Sequence, residues 1–220
     1  MAIHITIGRQ IGSGGGELGH RLANRLGAVF IDRQVMQRTA ARLGCSEAEL
    51  TGRREKVMPF WQRFIHLLAI GAPEGVYTDA RRIPELTDES LFAAQIEAIR
   101  ELCTGCSTVL IGYAGFHLLR DIPGIVRIFV HADHAFRMAR MKNVYGIIDE
   151  TDAADAIERT DRQRERFIAK IAGVSWTDLR NYDLTLNMSH IGFDAAEETV
   201  MRFIEQRIGT GMPNPHGSAT

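Results

Sequence analysis

Hydrophobic positions in this chain follow two alternating periods. Ile3, Ile5 and Ile7 recur every second residue and predict a short strand. Gly12, Gly14, Gly15 and Gly16 then interrupt the pattern, and Leu18, Leu22 and Leu26 resume it at helical spacing. The apolar run Ala28–Ile31 predicts a second strand, followed by Asp32-Arg33 and a helical pattern through Val35, Met36 and Leu43. Leu91, Phe92, Ile96, Ile99 and Leu102 mark a helix over 90–102, and buried strands follow over 107–112 and 125–130. Residues 132–173 read as helical and charge-rich with a break near Tyr145-Gly146, and a last short strand at 184–186 precedes a helix over 193–208. Short apolar strands alternating with helices predict a parallel sheet covered on both faces. Ligands of such sheets sit at the carboxyl ends of the strands, which here carry Gly8-Arg9, Asp32-Arg33, Gly112-Tyr113 and His131.

Two stretches depart from this alternation. Residues 46–89 mix an amphipathic segment around Phe60, Trp61, Phe64, Leu67 and Leu68 with Gly71, Pro73, Gly75 and Pro84, and read as a helical insert with a loop. Residues 209–220 hold glycine, proline and serine without an apolar period and read as a disordered tail. The remainder, 1–208, is expected to be a single domain, since 220 residues with 45% hydrophobic content suffice for one good core.

The formal net charge of -1 argues against a nucleic acid as the main partner while allowing local basic clusters. No apolar run reaches the length of a membrane span and no signal-peptide pattern opens the chain, so a cytoplasmic location away from membranes is expected. Oligomeric state is not legible. Cys103-Thr-Gly-Cys106 lacks a second cysteine pair, and His131-Ala-Asp-His134 lacks a third ligand, so neither reads as a metal site.

Chemistry concentrates at the glycine loop. A loop that opens a helix presents backbone N–H groups without intrahelical partners, and the helix dipole adds positive potential, so phosphate is its natural guest. Gly12, Ser13, Gly14, Gly15 and Gly16 are therefore candidate phosphate-binding residues. The ordinary form of this loop, GxxxxGK followed by Ser or Thr, places lysine on the β and γ phosphates and a hydroxyl on magnesium. With Gly14 as the last loop glycine, the lysine position is Gly15, and the hydroxyl position is Gly16 or Glu17.

A second basic cluster lies downstream. Arg159, Arg162 and Arg166 are spaced three and four apart on one helical face, with Lys170 a turn further. One reading is a solvated face paired with Asp155, Asp161 and Glu165. The other is a flap whose guanidiniums close over transferring phosphates, completed by Arg137, Arg140 and Lys142.

Three blocks carry a family resemblance: ITIGRQIGSGGGELGHRLANRLGAVFIDRQVM, LIGYAGFHLLRDIPGIVRIFVHA and ERTDRQRERFIAKIAGVSWTDLRNYDLTLNMSHIGF. In this order the chain resembles the cytidylate-kinase-like family of P-loop kinases, most weakly over 46–89. The resemblance implies a three-layer α/β fold with a five-stranded parallel sheet and helices on both faces. It further implies that 46–89 is an acceptor-binding lobe and 132–173 an arginine-bearing lid. The activity implied is phosphotransfer from ATP, with magnesium, to a nucleoside monophosphate such as CMP or dCMP. Arg9, Arg159, Arg162 and Arg166 would be catalytic, the glycine loop with Asp32, Arg33 and Arg140 would bind phosphate and nucleotide, and Glu17 would hold the metal. The chain departs from the family at Gly16, where an arginine is more usual, and at Gly112-Tyr113-Ala114-Gly115, where glycine is usually followed by arginine. Two other readings stay open: a nucleotide-binding sensor or structural protein without turnover, and a kinase of another small metabolite.

Overall fold

A computed structural model describes residues 2–32, 96, 99–100, 103–112 and 114–209. The expectations for Arg33, Tyr113, the 46–89 lobe and residues 210–220 lie outside the described residues. Within them, five strands form one sheet: β1 (His4–Arg9), β2 (Val29–Asp32), β3 (Thr108–Ile111), β4 (Val126–His131) and β5 (Leu184–Asn187). Their order is β2-β3-β1-β4-β5, and every pairing is parallel. The five-stranded parallel sheet expected from the sequence is thus present, and β1 lies at its centre.

Helix α1 (Gly15–Leu26) follows β1 directly, and α2 (Gly115–Leu118) is a single turn after β3. Two helices, α3 (His134–Asn143) and α4 (Glu150–Ala172), follow β4, and α5 (Phe193–Gly209) closes the fold. The break between α3 and α4 contains Gly146 at φ 69, a left-handed value that glycine adopts without a Cβ penalty. Gly27 ends α1 in the same way, donating its N–H to the carbonyls of Ala23 and Asn24.

The strands alternate their side chains between two apolar layers. Ile5, Ile7, Ile128 and Val130 pack with Leu18, Leu22 and Ala23 of α1 and Ala196, Val200 and Ile204 of α5. On the opposite face Phe129 packs with Phe116, Ile168 of α4 and Trp176. Trp176 thus finds its place in a core layer, its ring edge-on to Phe129 at 5.6 Å. A smaller cluster of Ile11, Met141, Ile147, Ala153, Ala156 and Ile157 binds α3 and the amino half of α4 to the glycine loop. Among the described residues, no helix is long and apolar enough to cross a membrane.

One buried ion cluster holds the edge of the sheet. Arg127 on β4 donates from Nε (3.1 Å) and Nη2 (2.7 Å) to Asp183, and Arg207 of α5 approaches the same carboxylate at 3.1 Å. Burial pushes the Asp183 carboxyl up, but hydrogen bonds from Arg127 and the charges of Arg127 and Arg207 outweigh it and leave the pKa below its ordinary value. Asp183 therefore contributes stability in full above the unfolded carboxyl value of about 3.9, and loses it as pH falls through the lower folded value. Asp183→Asn should destabilise the fold by about 3–5 kcal/mol in urea titrations, because it strands buried guanidiniums. It should also flatten the decline in stability below about pH 4.

Candidate functional site

The glycine loop is tied to the carboxyl end of β4. Gln10 donates its N–H to the Val130 carbonyl at 3.1 Å, and its side-chain oxygen accepts from Ala132 N–H at 3.3 Å. Ser13 is fully buried, with its hydroxyl 2.9 Å from the Gln10 carbonyl and 3.1 Å from that of Val130. The serine hydroxyl thus closes the loop on itself, and the loop offers a ligand its backbone.

Close approach explains the glycines. A β-carbon at Gly12 would stand 3.0 Å from the Arg137 carbonyl oxygen, and one at Gly14 would stand 2.7 Å from the Phe193 ring. Gly14 also has φ 87 and makes no side-chain cap to α1, which leaves the first amides of the helix to whatever enters the loop. At Gly15 the obstacle is a neighbouring strand: an added β-carbon would lie 2.7 Å from Arg9 Cβ and 3.3 Å from Val130 Cβ. The position that carries lysine in the ordinary loop is therefore closed to any side chain by Arg9.

Arg9 ends β1, at the centre of the sheet. Its Nη2 pairs with Asp32, at the end of β2, at 3.3 Å, and the two side chains are 11% and 3% exposed. Its Nη1 lies where a β-carbon on Gly112, at the end of β3, would come within 2.9 Å. Its carbonyl accepts from Nη1 of Arg164 at 2.9 Å. The carboxyl ends of three adjacent strands and helix α4 thus meet around one arginine.

A network rooted in α4 fixes the other cations. Asp161 accepts from Ile11 N–H at 3.1 Å and pairs with Arg137, whose Nε donates to the Ile11 carbonyl at 2.7 Å. Arg164 lies 3.8 Å from Asp161. Burial, and then the positive charge of Arg9, pull the Arg164 pKa down to about 9, which still leaves it cationic at neutral pH. Arg140 pairs with Glu17 at 2.9 Å and stands over the Phe193 ring at 5.1 Å. Its Nε is buried without a hydrogen-bond partner among the described residues.

The structure thus gathers Arg9, Gly12, Ser13, Gly14, Gly15, Gly16, Glu17, Asp32 and Arg140 around the loop. It places Arg159, Arg162 and Arg166 on the exposed face of α4, and the arginine of that helix that touches the loop segment is Arg164. Arg164 escaped the sequence reading, and Asp161 was read there only as an acidic partner on a solvated face. Their signal was their place in the stripe of Ala153, Ile157, Thr160 and Ile168, the helix's buried side. Glu17 is engaged by Arg140 and, at 3.8 Å, by Arg21. Among the described residues, no group of three or more His, Cys, Asp or Glu could hold a metal ion.

Four guanidiniums, those of Arg9, Arg137, Arg140 and Arg164, therefore face three carboxylates, those of Asp32, Asp161 and Glu17, beside an uncapped helix N-terminus. The unbalanced charge is positive and partly desolvated, which suits a polyanion such as a nucleotide phosphate chain.

Comparison with known proteins agrees with this geometry. The fold is similar to that of an uncharacterized protein from Eubacterium ventriosum ATCC 27560, with a TM-score of 0.67 at 19% identity over 93% of this chain and 99% of the other. It is also similar to shikimate kinase from Bacteroides thetaiotaomicron, with a TM-score of 0.51 at 12% identity over 92% and 98% of the two chains. No curated protein sequence matches the chain. Residues 4–190 match the model of the cytidylate kinase-like family, from the first residue of β1 to beyond the end of β5. With that match spanning the sheet and the whole glycine loop, the chain belongs to the cytidylate kinase-like family, and its fold is that of the P-loop kinases.

Proposed function

We propose that this chain is an ATP-dependent phosphotransferase acting on a nucleoside monophosphate, with a cytidylate-like acceptor as the family match suggests, and that Arg9 supplies the charge the ordinary loop takes from lysine. The observation that carries this reading is the contact between Gly15 and Arg9. The lysine position is blocked by the first carbons of an arginine whose own guanidinium ends at the carboxyl edge of the sheet. In phosphoryl transfer the protein acts mostly by positioning and by cations placed where charge accumulates, so a cation that arrives from β1 serves as well as one from α1.

In this reading the amides at the start of α1 and the loop backbone hold the donor phosphates. Arg164 and Arg137, braced by Asp161, present fixed positive charge to the transferring group. Arg140 exchanges Glu17 for phosphate oxygen. A monophosphate acceptor is already anionic near neutral pH, so no general base is required. Magnesium would neutralise charge on the donor's phosphate oxygens. It is bound in such sites by one or two carboxylates plus phosphates and water, and Asp32 and Glu17 are two of the three carboxylates in the loop's network, the third, Asp161, being engaged by the Ile11 amide and Arg137. A cytoplasmic nucleotide pool is the matching source of substrates.

A second reading has its own observation. Both Asp32 and Glu17 are already paired with arginines, as expected of a protein that binds nucleotide without turnover. An assay of ADP release with ATP, magnesium and a panel of CMP, dCMP, UMP, AMP and GMP separates the two. Release stimulated by one monophosphate is the expected result. A flat panel with ATP binding intact would favour the second reading.

Within the active case, Arg9→Gly should lower kcat by about 10²–10³. The double variant Arg9→Gly/Gly15→Lys, which empties the space before filling it, should recover about tenfold of that loss, whereas Gly15→Lys alone should be no better than Arg9→Gly. Gly15→Ala should destabilise the fold by about 1–3 kcal/mol in thermal or urea unfolding. Gly105→Ala, where an added β-carbon meets nothing, is the control and should shift stability by no more than about 0.5 kcal/mol.

A further inference from the structure

We propose that Cys103 and Cys106 form a reversible dithiol–disulfide site at the amino end of the sheet, oxidised by a low-molecular-weight disulfide of the glutathione type. The pair lies at the end of the sheet away from the glycine loop. His4 opens β1 and Arg9 closes it, so at about 3.3 Å per residue the two ends stand about 16 Å apart. Cys103 to Thr108 is the segment that enters β3 beside His4, since His4 and Thr108 are partners in the sheet. The site is therefore separate from the residues assigned to phosphotransfer, and the inference does not rest on that assignment.

Geometry allows the bond. Residues 103–105 are helical, and Cys106 leaves the helix as a bend. A spacing of three brings two helical side chains onto one side, with about 5–6 Å between their β-carbons. A disulfide needs about 3.5–4.5 Å, so closure asks for a shift of about 1–2 Å. The helix end can supply it, because Gly105 lies between the two cysteines and a β-carbon there would meet nothing. Both sulfurs are thiols in this structure, and each registers its surroundings. Burial pushes the Cys103 thiol up, the hydrogen bond with Thr108 opposes it, and the neighbouring Cys106 sulfur raises it further. Burial pushes Cys106 up as well, so both rest as protonated thiols near neutral pH.

Exposure sets the order of events. Cys103 is 6% exposed, whereas Cys106 is only half-buried, so Cys106 meets the oxidant first. Its sulfur, as thiolate, attacks one sulfur of the small disulfide, and the other leaves as a thiolate. The Cys103 sulfur then gives up its proton and attacks the Cys106 sulfur, expelling the second small thiolate. Two electrons pass from the protein to the oxidant, and the two protein protons end on the two released thiols. The bond has a structural consequence. Thr108 Oγ1 stands between Cys103 Sγ, at 3.4 Å, and His4 Nδ1, at 3.0 Å. A sulfur turned towards Cys106 withdraws from Thr108 and leaves its hydroxyl to His4. The segment is also tied to two other strand entries, since the Ser107 hydroxyl accepts from Ile3 N–H at 3.0 Å and its carbonyl from Val29 N–H at 2.9 Å.

The test exposes the full-length chain to oxidised glutathione, blocks the remaining thiols with a maleimide and maps the peptides by mass spectrometry. A disulfide joining Cys103 to Cys106, reversed by dithiothreitol, is the expected result. Cys103→Ser, which keeps a hydroxyl for Thr108, should instead accumulate glutathione on Cys106, and Cys106→Ser should slow oxidation of Cys103 at least tenfold. The His4 ring resonances should shift on oxidation and return on reduction. Recovery of both cysteines as maleimide adducts would overturn the proposal, as would a lasting glutathione adduct on Cys106 of the unsubstituted chain or a bond from either cysteine to Cys45. None of these readouts depends on turnover, so failure here is distinguishable from failure of the kinase reading.

Discussion

The space between Arg9 and Gly15 is the constraint on which the site depends. Because the two β-carbons would otherwise collide, the last strand residue of β1 and the first helical residue of α1 cannot both carry side chains. The chain gives the side chain to the strand. From there the arginine reaches Asp32 at the end of β2 and lies against Gly112 at the end of β3, and its carbonyl receives Arg164 from α4. Loop, sheet edge and helix α4 are thereby referenced to one residue. A lysine on α1 would swing on a flexible stem, whereas this arginine is braced on its carboxylate partner and on backbone, with less conformational entropy left to lose when phosphate binds.

This arrangement leaves a charge imbalance that the fold must carry. Arg164 is 15% exposed and repelled by Arg9, and its one direct acidic partner among the described residues, Asp161, also serves Arg137 and the amide of Ile11. In the proposed reading, the same shortage of carboxylates would make an incoming polyanion a stabilising element. Ligand binding and folding stability are coupled here through electrostatics, since any species that binds only the folded state adds to its stability.

Much of the fold was legible in the sequence. Ile3 to Leu26 announced strand, loop and helix, and the apolar runs at 28–31, 107–112, 125–130 and 184–186 located the remaining strands. What escaped was the facing of α4. Spacing of three and four groups residues on a side of a helix without saying which side is inward, so Arg159, Arg162 and Arg166 drew attention by charge. The apolar stripe settles the matter, because Asp161 and Arg164 share it with Ile157, Thr160 and Ile168. The part Ser13 plays with its side chain was not legible either: its hydroxyl meets the carbonyls of Gln10 and Val130. Gly15 read as a lysine lost, because steric exclusion by a residue six positions earlier leaves no mark in a local motif.

The same reasoning separates the two faces of α4. Its inner face is tied to the glycine loop, since Asp161 and its partner Arg137 on α3 hold the amide and carbonyl of Ile11 between them. Its outer face carries the same residue types in exposed positions, with Arg162 paired to Glu158 along the helix. A charge on the outer face is felt at the inner one only weakly, through the thickness of the helix and the solvent around it.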